Sequence, residues 1–165
     1  MSADLLPSNI VELARRVVQE NATAGRKVAV AESCTGGLVA AALTEIPGSS
    51  EVLDRGFVTY SNEAKQEMLG VPEDIIDAFG AVSVACVFAM AQGALERSKA
   101  DVAVAISGIA GPDGGTEMKP VGTVVFARAI RGDTEPDAEE RLFEGEDRAG
   151  VRLQATLCAL ELLLP

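Results

Sequence analysis

The sequence predicts an α/β domain: three layers, α/β/α, around a mixed, mostly parallel sheet of about five strands. Three observations point there. Short β-branched apolar runs, such as Val28–Glu32, alternate with longer segments whose apolar residues recur at helical spacing. Residues 101–106 are apolar almost throughout, the pattern of a parallel strand buried on both faces. Residues 121–130 and 140–144 read as strands separated by about nine residues containing Gly132 and Pro136. That gap is too short for a crossover helix, so the two strands should form a hairpin.

Each element has its own signal. Asn9 and Glu12 have the spacing of a capping box, and Ile10, Leu13, Ala14, Val17 and Val18 share one face, giving a first helix over residues 9–19. The strand at 28–32 leads into a helix over 36–45, ended by Pro47-Gly48. Residues 56–60 read as a second strand and 62–69 as a short helix. Pro72 at a first helical position opens another turn or two, through Ala78. Ser83 caps a long helix reaching about Ser98, and the strands at 101–106, 121–130 and 140–144 follow. Val151, Ala155, Cys158 and Leu162 make the apolar stripe of a final helix. No repeat or linker interrupts the chain, and 165 residues fit one domain, spanning 1–165.

Composition excludes several classes of function. A net charge of −11 opposes binding to nucleic acid, which needs a basic surface to neutralise phosphates. No apolar run approaches the about 18 residues of a membrane span, and no basic-then-apolar leader is present, so a soluble, cytoplasmic protein without membrane partners is expected. Cys34, Cys86 and Cys158 are odd in number and lack metal-ligand spacing, which suits a reducing compartment. With no histidine either, no metal site is expected.

In open α/β sheets, ligands bind outside the C-terminal ends of parallel strands. Three strand ends here run into polar material. The first meets Ser33, Cys34, Thr35, Gly36 and Gly37, and the second leads through Tyr60 to Lys65. The third enters a glycine-rich loop holding Ser107, Gly108, Gly111, Gly114, Gly115 and Thr116. If these strands are parallel, the loops converge. A strand passing through Gly-Gly into a helix places Ser33, Cys34 and Thr35 beside unpaired N–H groups, a setting for an anion or an oxygen that becomes one. Of the four lysines, Lys27 and Lys99 precede strands and lie at the opposite edge, which leaves Lys65 and Lys119.

Without histidine, a Ser-Lys pair is the simplest nucleophilic arrangement: a neutral amine takes the serine proton while backbone N–H groups hold the oxyanion. A free lysine titrates at about 10.4, so acting as a base near neutrality asks burial or neighbouring cations for about 4 kcal/mol. Plainer readings stand beside this one. Ser33 and Thr35 have the residue types of helix caps, Lys65 could be a solvated charge, and Tyr60 a packing residue. Cys34 is an alternative nucleophile, while Cys86 and Cys158 fall at apolar helical positions. The 107–116 loop matches no phosphate-binding fingerprint, and reads either as a backbone-donor loop or as a surface turn. Arg148 and Arg152 lie one turn apart on the last helix, exposed by default and otherwise suited to an anion.

Five ordered blocks then carry a family resemblance: Ala31-Glu-Ser-Cys-Thr-Gly-Gly37; Val58-Thr-Tyr-Ser-Asn-Glu-Ala-Lys65 with Leu69-Gly-Val71; Gly80-Ala-Val-Ser83; Ser107-Gly-Ile-Ala-Gly-Pro-Asp-Gly-Gly115 with Lys119-Pro-Val-Gly122; and Asp147-Arg148. Over residues 8–163 the chain resembles the CinA C-terminal family of competence/damage-inducible proteins, whose characterised members are nicotinamide mononucleotide (NMN) deamidases. The molybdopterin-binding-like N-terminal domain of longer members is not matched, so a stand-alone version is expected.

The resemblance implies hydrolysis of the NMN carboxamide to nicotinate mononucleotide and ammonia, in pyridine nucleotide salvage, without metal or organic cofactor. It implies Ser33 as nucleophile, Lys65 as its base and Tyr60 beside the nicotinamide ring. Thr35 with the Gly36 and Gly37 amides would belong to the oxyanion environment. The loop of Ser107, Gly108, Gly111, Gly114, Gly115 and Thr116 would contact substrate, with Arg148 binding or orienting it. A homo-oligomer, dimer or larger, is also implied. The rival class is a nucleotide-binding regulatory module that keeps the pocket without the chemistry.

Overall fold

The computed structural model describes residues 3–165. The elements run α1 (Ser8–Ala24), β1 (Val28–Glu32), α2 (Leu38–Thr44), a 3₁₀ turn (Ser49–Glu51), β2 (Leu53–Val58), α3 (Asn62–Leu69), α4 (Glu73–Phe79), α5 (Val84–Glu96), β3 (Val102–Gly108), β4 (Thr123–Ile130), β5 (Asp137–Leu142) and α6 (Arg148–Leu162). One five-stranded sheet has the order β2-β1-β3-β4-β5. The pairs β2-β1 and β1-β3 are parallel, whereas β3-β4 and β4-β5 are antiparallel. The sheet is thus mixed, with parallel strands at one end and the expected hairpin at the other. The C-terminal ends of β1, β2 and β3 share one edge, as the sequence predicts.

Side-chain size sorts the two faces of this sheet. Successive strand residues point to opposite sides. Val28, Val30, Val102, Val104, Ile106, Val124 and Phe126 pack in one cluster with the apolar stripes of α1, α2 and α6. Ala29, Ala31, Ala103, Ala105, Ala127 and Ala129 form the other face and pack with Cys86, Val87, Met90 and Ala94 of α5. The alanine face lets α5 lie close to the sheet. Gly93 plays the same part on the outer side of α5, where a Cβ would overlap the Leu69 carbonyl at the end of α3. Each large apolar side chain so buried contributes about 1.5–3 kcal/mol. Among the described residues, no helix is long and apolar enough to cross a membrane.

Several boundaries differ from expectation for identifiable reasons. The capping box does not form: α1 begins one residue earlier, and the Pro7 carbonyl accepts Ile10 N–H and Val11 N–H at 3.0 and 3.1 Å. Helix α1 also continues to Ala24, because the buried Asn21 extends its inward face and donates to the carbonyls of Val17 and Leu163. A polar residue on a core face is invisible to apolar periodicity. Strand β2 starts at Leu53 and stops at Val58, so Tyr60 lies beyond it; Asp54 and Arg55 disguise an edge strand. Strand β5 is likewise earlier and charged, as edge strands often are. Pro72 stands just before α4 rather than as its first residue. The cap by Ser83 does form, its Oγ accepting Cys86 N–H at 3.1 Å.

Candidate active site

Glu32, the last residue of β1, is fully buried and forms no ion pair among the described residues. Its carboxylate accepts the N–H groups of Gly37 (3.2 Å), Val39 (3.0 Å) and Ala40 (3.1 Å), so the free donors at the start of α2 are already satisfied. The Gly36 N–H donates to Ser33 O at 3.0 Å. The Gly36 and Gly37 amides, expected around an oxyanion, are therefore engaged elsewhere. Those two glycines serve the turn itself: φ is +58° and +103°, two consecutive left-handed residues between β1 and α2.

This turn presents Ser33 at the strand end, with Ser33 N–H bonded to Ile106 O at 3.0 Å. Among the described residues, the N–H groups of Cys34 and Thr35 have no acceptor in another residue. From the far side of the turn, Arg152 on α6 donates through Nε to Cys34 O (3.0 Å) and through Nη2 to Thr35 O (3.4 Å).

Lys65 approaches Ser33 from α3, a helix that Ser61 caps by accepting Ala64 N–H at 3.0 Å. The Lys65 side chain is only 1% exposed. Its Nζ lies 3.0 Å from Ser33 Oγ, 2.9 Å from Thr59 O and 3.1 Å from Tyr60 O. Burial holds the Lys65 pKa below the ordinary lysine value, and among the described residues no carboxylate lies within ion-pair distance to offset it. Burial also pushes the adjacent Cys34 thiol up to about 11, so at neutral pH it stays protonated and is the poorer nucleophile.

An open cleft of about 240 Å³ lies over this pair, walled by Ser33, Cys34, Tyr60, Lys65, Ser107 and Arg148, with Asn62 and Val82 also in its lining. Arg148, the first residue of α6, donates to Gly111 O (2.6 Å) and to the Tyr60 hydroxyl (3.3 Å), joining two of the converging loops. Gly108 lies at the cleft floor, where a Cβ would meet Cys34 Sγ at 3.1 Å. The predicted residues divide accordingly. Ser33, Lys65, Tyr60, Ser107, Gly108 and Arg148 come together, and Gly111 joins through its carbonyl. Thr35 is fully buried and outside the cleft lining, its Oγ1 without a partner among the described residues. Gly114, Gly115 and Thr116 are exposed and outside the cleft lining, with Thr116 engaged by Lys119. Lys119 itself donates to Phe79 O at 2.9 Å.

The sequence suggested no role for Glu32 or Asn62, and for Arg152 it suggested solvent exposure or an anion, whereas its guanidinium binds the Cys34 and Thr35 carbonyls. A lone carboxylate ending an apolar strand just before a glycine turn was the available signal for Glu32. Among the described residues, no group of three or more His, Cys, Asp or Glu side chains could hold a metal ion.

Comparison with known proteins places this architecture. The CinA C-terminal domain matches residues 10–165. The Escherichia coli K12 nicotinamide-nucleotide amidohydrolase PncC is 54% identical over 157 residues, covering 94% of this chain and 93% of that protein. A CinA-like protein of Akkermansia muciniphila is 54% identical over 152 residues, which cover 92% of this chain but only 36% of the longer relative. The competence/damage inducible protein CihA of Agrobacterium tumefaciens, a crystal structure, superposes with a TM-score of 0.93 at 50% identity, covering 99% and 97% of the two chains. Matched over nearly its whole length in sequence and in fold, the chain belongs to the CinA C-terminal domain family.

Proposed function

We propose that this protein is an amidohydrolase that converts the carboxamide of NMN to a carboxylate, releasing ammonia, with Ser33 as nucleophile and Lys65 as general base. Similarity to the PncC enzyme supports the substrate. The observation that carries the chemistry is the set of three oxygens around Lys65 Nζ. A neutral amine has two N–H bonds and one lone pair. With the carbonyls of Thr59 and Tyr60 taking the two hydrogens, the lone pair is left for the hydrogen of Ser33 Oγ. Burial without a carboxylate partner favours this neutral form.

In the proposed reaction, Ser33 Oγ attacks the carboxamide carbon as Lys65 Nζ takes its proton. The Cys34 N–H, next to the nucleophile and on a residue that lines the cleft, holds the oxyanion. Collapse breaks the C–N bond, and Lys65 returns the proton to the departing ammonia. Water then attacks the acyl-serine while Lys65 accepts its proton, and a second collapse returns that proton to Ser33 and frees the carboxylate product. Neither metal nor organic cofactor takes part. Arg148 and Tyr60 at the cleft rim bind the nucleotide, Arg148 offering charge to its phosphate. We further read the chain as one catalytic domain of a cytoplasmic homo-oligomer in pyridine nucleotide salvage, without nucleic-acid or membrane partners.

The test is ammonia release from NMN by the purified protein beside Ser33→Ala and Lys65→Ala, without added metal. Turnover by the unaltered protein and loss of at least a hundredfold in both variants supports the reading. An inert protein whose melting temperature still rises with NMN is a nucleotide-binding module instead.

A further inference from the structure

We infer that Ser107 is a catalytic residue whose hydroxyl is the second donor to the oxyanion, beside the Cys34 N–H; this rests on the Ser-Lys reading above. Strand register puts it next to the nucleophile. β1 and β3 run parallel with Glu32 beside Ile106, and the Ser33 N–H carries the ladder one step further by donating to Ile106 O at 3.0 Å. Ser33 and Ser107 are therefore the next pair, on strands about 5 Å apart. Because side chains alternate along a strand, the two also share a face. Ser33 follows Ala29 and Ala31, and Ser107 follows Ala103 and Ala105, four residues packed on the α5 side of the sheet. Val125, which pairs with Ser107 across β3 and β4, belongs to that side as well.

Ser107 is only 1% exposed, yet it lines the same cleft as Ser33 and Lys65. Among the described residues, the buried hydroxyls of Ser33 and Ser83 bond within the protein, whereas that of Ser107 makes no hydrogen bond to it. Its donor is free for a bound substrate. The strand order β2-β1-β3 sets Ser33 between this hydroxyl and the base. Lys65 Nζ is bonded to the carbonyls of Thr59 and Tyr60, which continue β2, so it stands on one side of Ser33 and Ser107 on the other. A carboxamide is planar, with oxygen and nitrogen on opposite arms of its carbon. Lys65 returns its proton to the nitrogen, which therefore turns to the β2 side and leaves the oxygen on the β3 side. As Ser33 Oγ adds to the carbon, the π pair of the C=O bond moves onto that oxygen. The Ser107 O–H donates to it and keeps its own proton. Lys65 Nζ contacts Ser33 Oγ and makes no hydrogen bond to Ser107, so the second serine has no base and does not compete as nucleophile.

Ser107→Ala deletes the hydroxyl at a position whose neighbours along the face, Ala103 and Ala105, are already alanine, and Ser107→Cys keeps the size with a weaker donor. Two rates are measured: ammonia release from NMN, and the burst of p-nitrophenolate from p-nitrophenyl acetate, whose leaving group needs no proton. In Ser107→Ala both rates should fall about a hundredfold, with KM for NMN changed less than about threefold. Ser107→Cys should fall between. Rates in Ser107→Ala within about threefold of wild type, or a raised KM at unchanged kcat, would overturn the proposal. So would a loss confined to ammonia release, which would put Ser107 on the departing nitrogen instead of the oxygen. Should Ser107→Ala fail to fold, the same comparison on Ser107→Cys decides it. Wild-type protein acylated by the ester yet inert toward NMN would refute the substrate reading alone, and Ser107 is then judged on the burst. Full activity in Ser33→Ala would refute the Ser-Lys reading and this inference with it.

Discussion

Replacing Lys65 by Met separates a catalytic lysine from a structural one. Methionine fills nearly the same volume and flexes to fit, so packing changes little. Three hydrogen bonds are lost, leaving the carbonyls of Thr59 and Tyr60 without a donor. At about 1–3 kcal/mol each, two stranded carbonyls cost roughly 2–6 kcal/mol. Against this, the substitution removes an amine that burial already disfavours as a cation, a relief of several kcal/mol. The two effects nearly cancel, leaving about 2 kcal/mol of either sign. For a domain this size, that moves the melting temperature by no more than about 8 °C. The effect on rate has no such offset: losing a general base costs about 10²–10⁴, or roughly 3–5.5 kcal/mol of activation free energy. Thermal unfolding by circular dichroism and ammonia release from NMN, measured on one preparation, give the two numbers. A variant that melts normally yet keeps more than a tenth of wild-type kcat refutes Lys65 as the base. A variant inactive only because it unfolds at assay temperature refutes the account of its burial.

Three further outcomes follow from the same structure. Because the folded-state pKa of Lys65 is lowered, the unfolded chain binds more protons between that value and about 10.4, so stability rises with pH across this window; the Lys65→Met curve should be flatter, and wild-type kcat/KM should climb to a plateau set below about 10.4. Gly93→Ala drives a methyl into the Leu69 carbonyl of α3, a clash with backbone that should cost about 3 kcal/mol or more and lower the melting temperature by roughly 6–12 °C by calorimetry. Arg148→Ala severs the links to Gly111 O and the Tyr60 hydroxyl, and should raise the KM for NMN about tenfold or more while kcat changes less, by steady-state kinetics.

The parallel half of the fold was legible because β1 and β3 are buried on both faces and read as unbroken apolar runs. The edge strands were harder to place. Asp54 and Arg55 in β2, and the acidic β5, pair through backbone groups that carry no hydropathy signal. The convergence of Ser33, Tyr60, Lys65 and Ser107 on one cleft followed from a parallel direction for three strands and from their polar ends. What spacing could not show was which backbone donors remain free. A helix start after Gly36-Gly37 suggests an oxyanion site, but Glu32 reaches back from the strand and occupies it. The contacts of Arg152 were hidden for a related reason: they join carbonyls more than a hundred residues away in sequence, and no local pattern encodes them.

The central claim is a covalent one, that Ser33 carries the acyl group between two proton transfers by Lys65. Its most direct test is intact-protein and peptide mass spectrometry after acid quench of the enzyme mixed with NMN. The account predicts a transient adduct with the mass of NMN less ammonia, confined to the peptide containing Ser33 and absent from Ser33→Ala. Ammonia release that proceeds at full rate in Ser33→Ala, or an adduct on Cys34 instead, would contradict it.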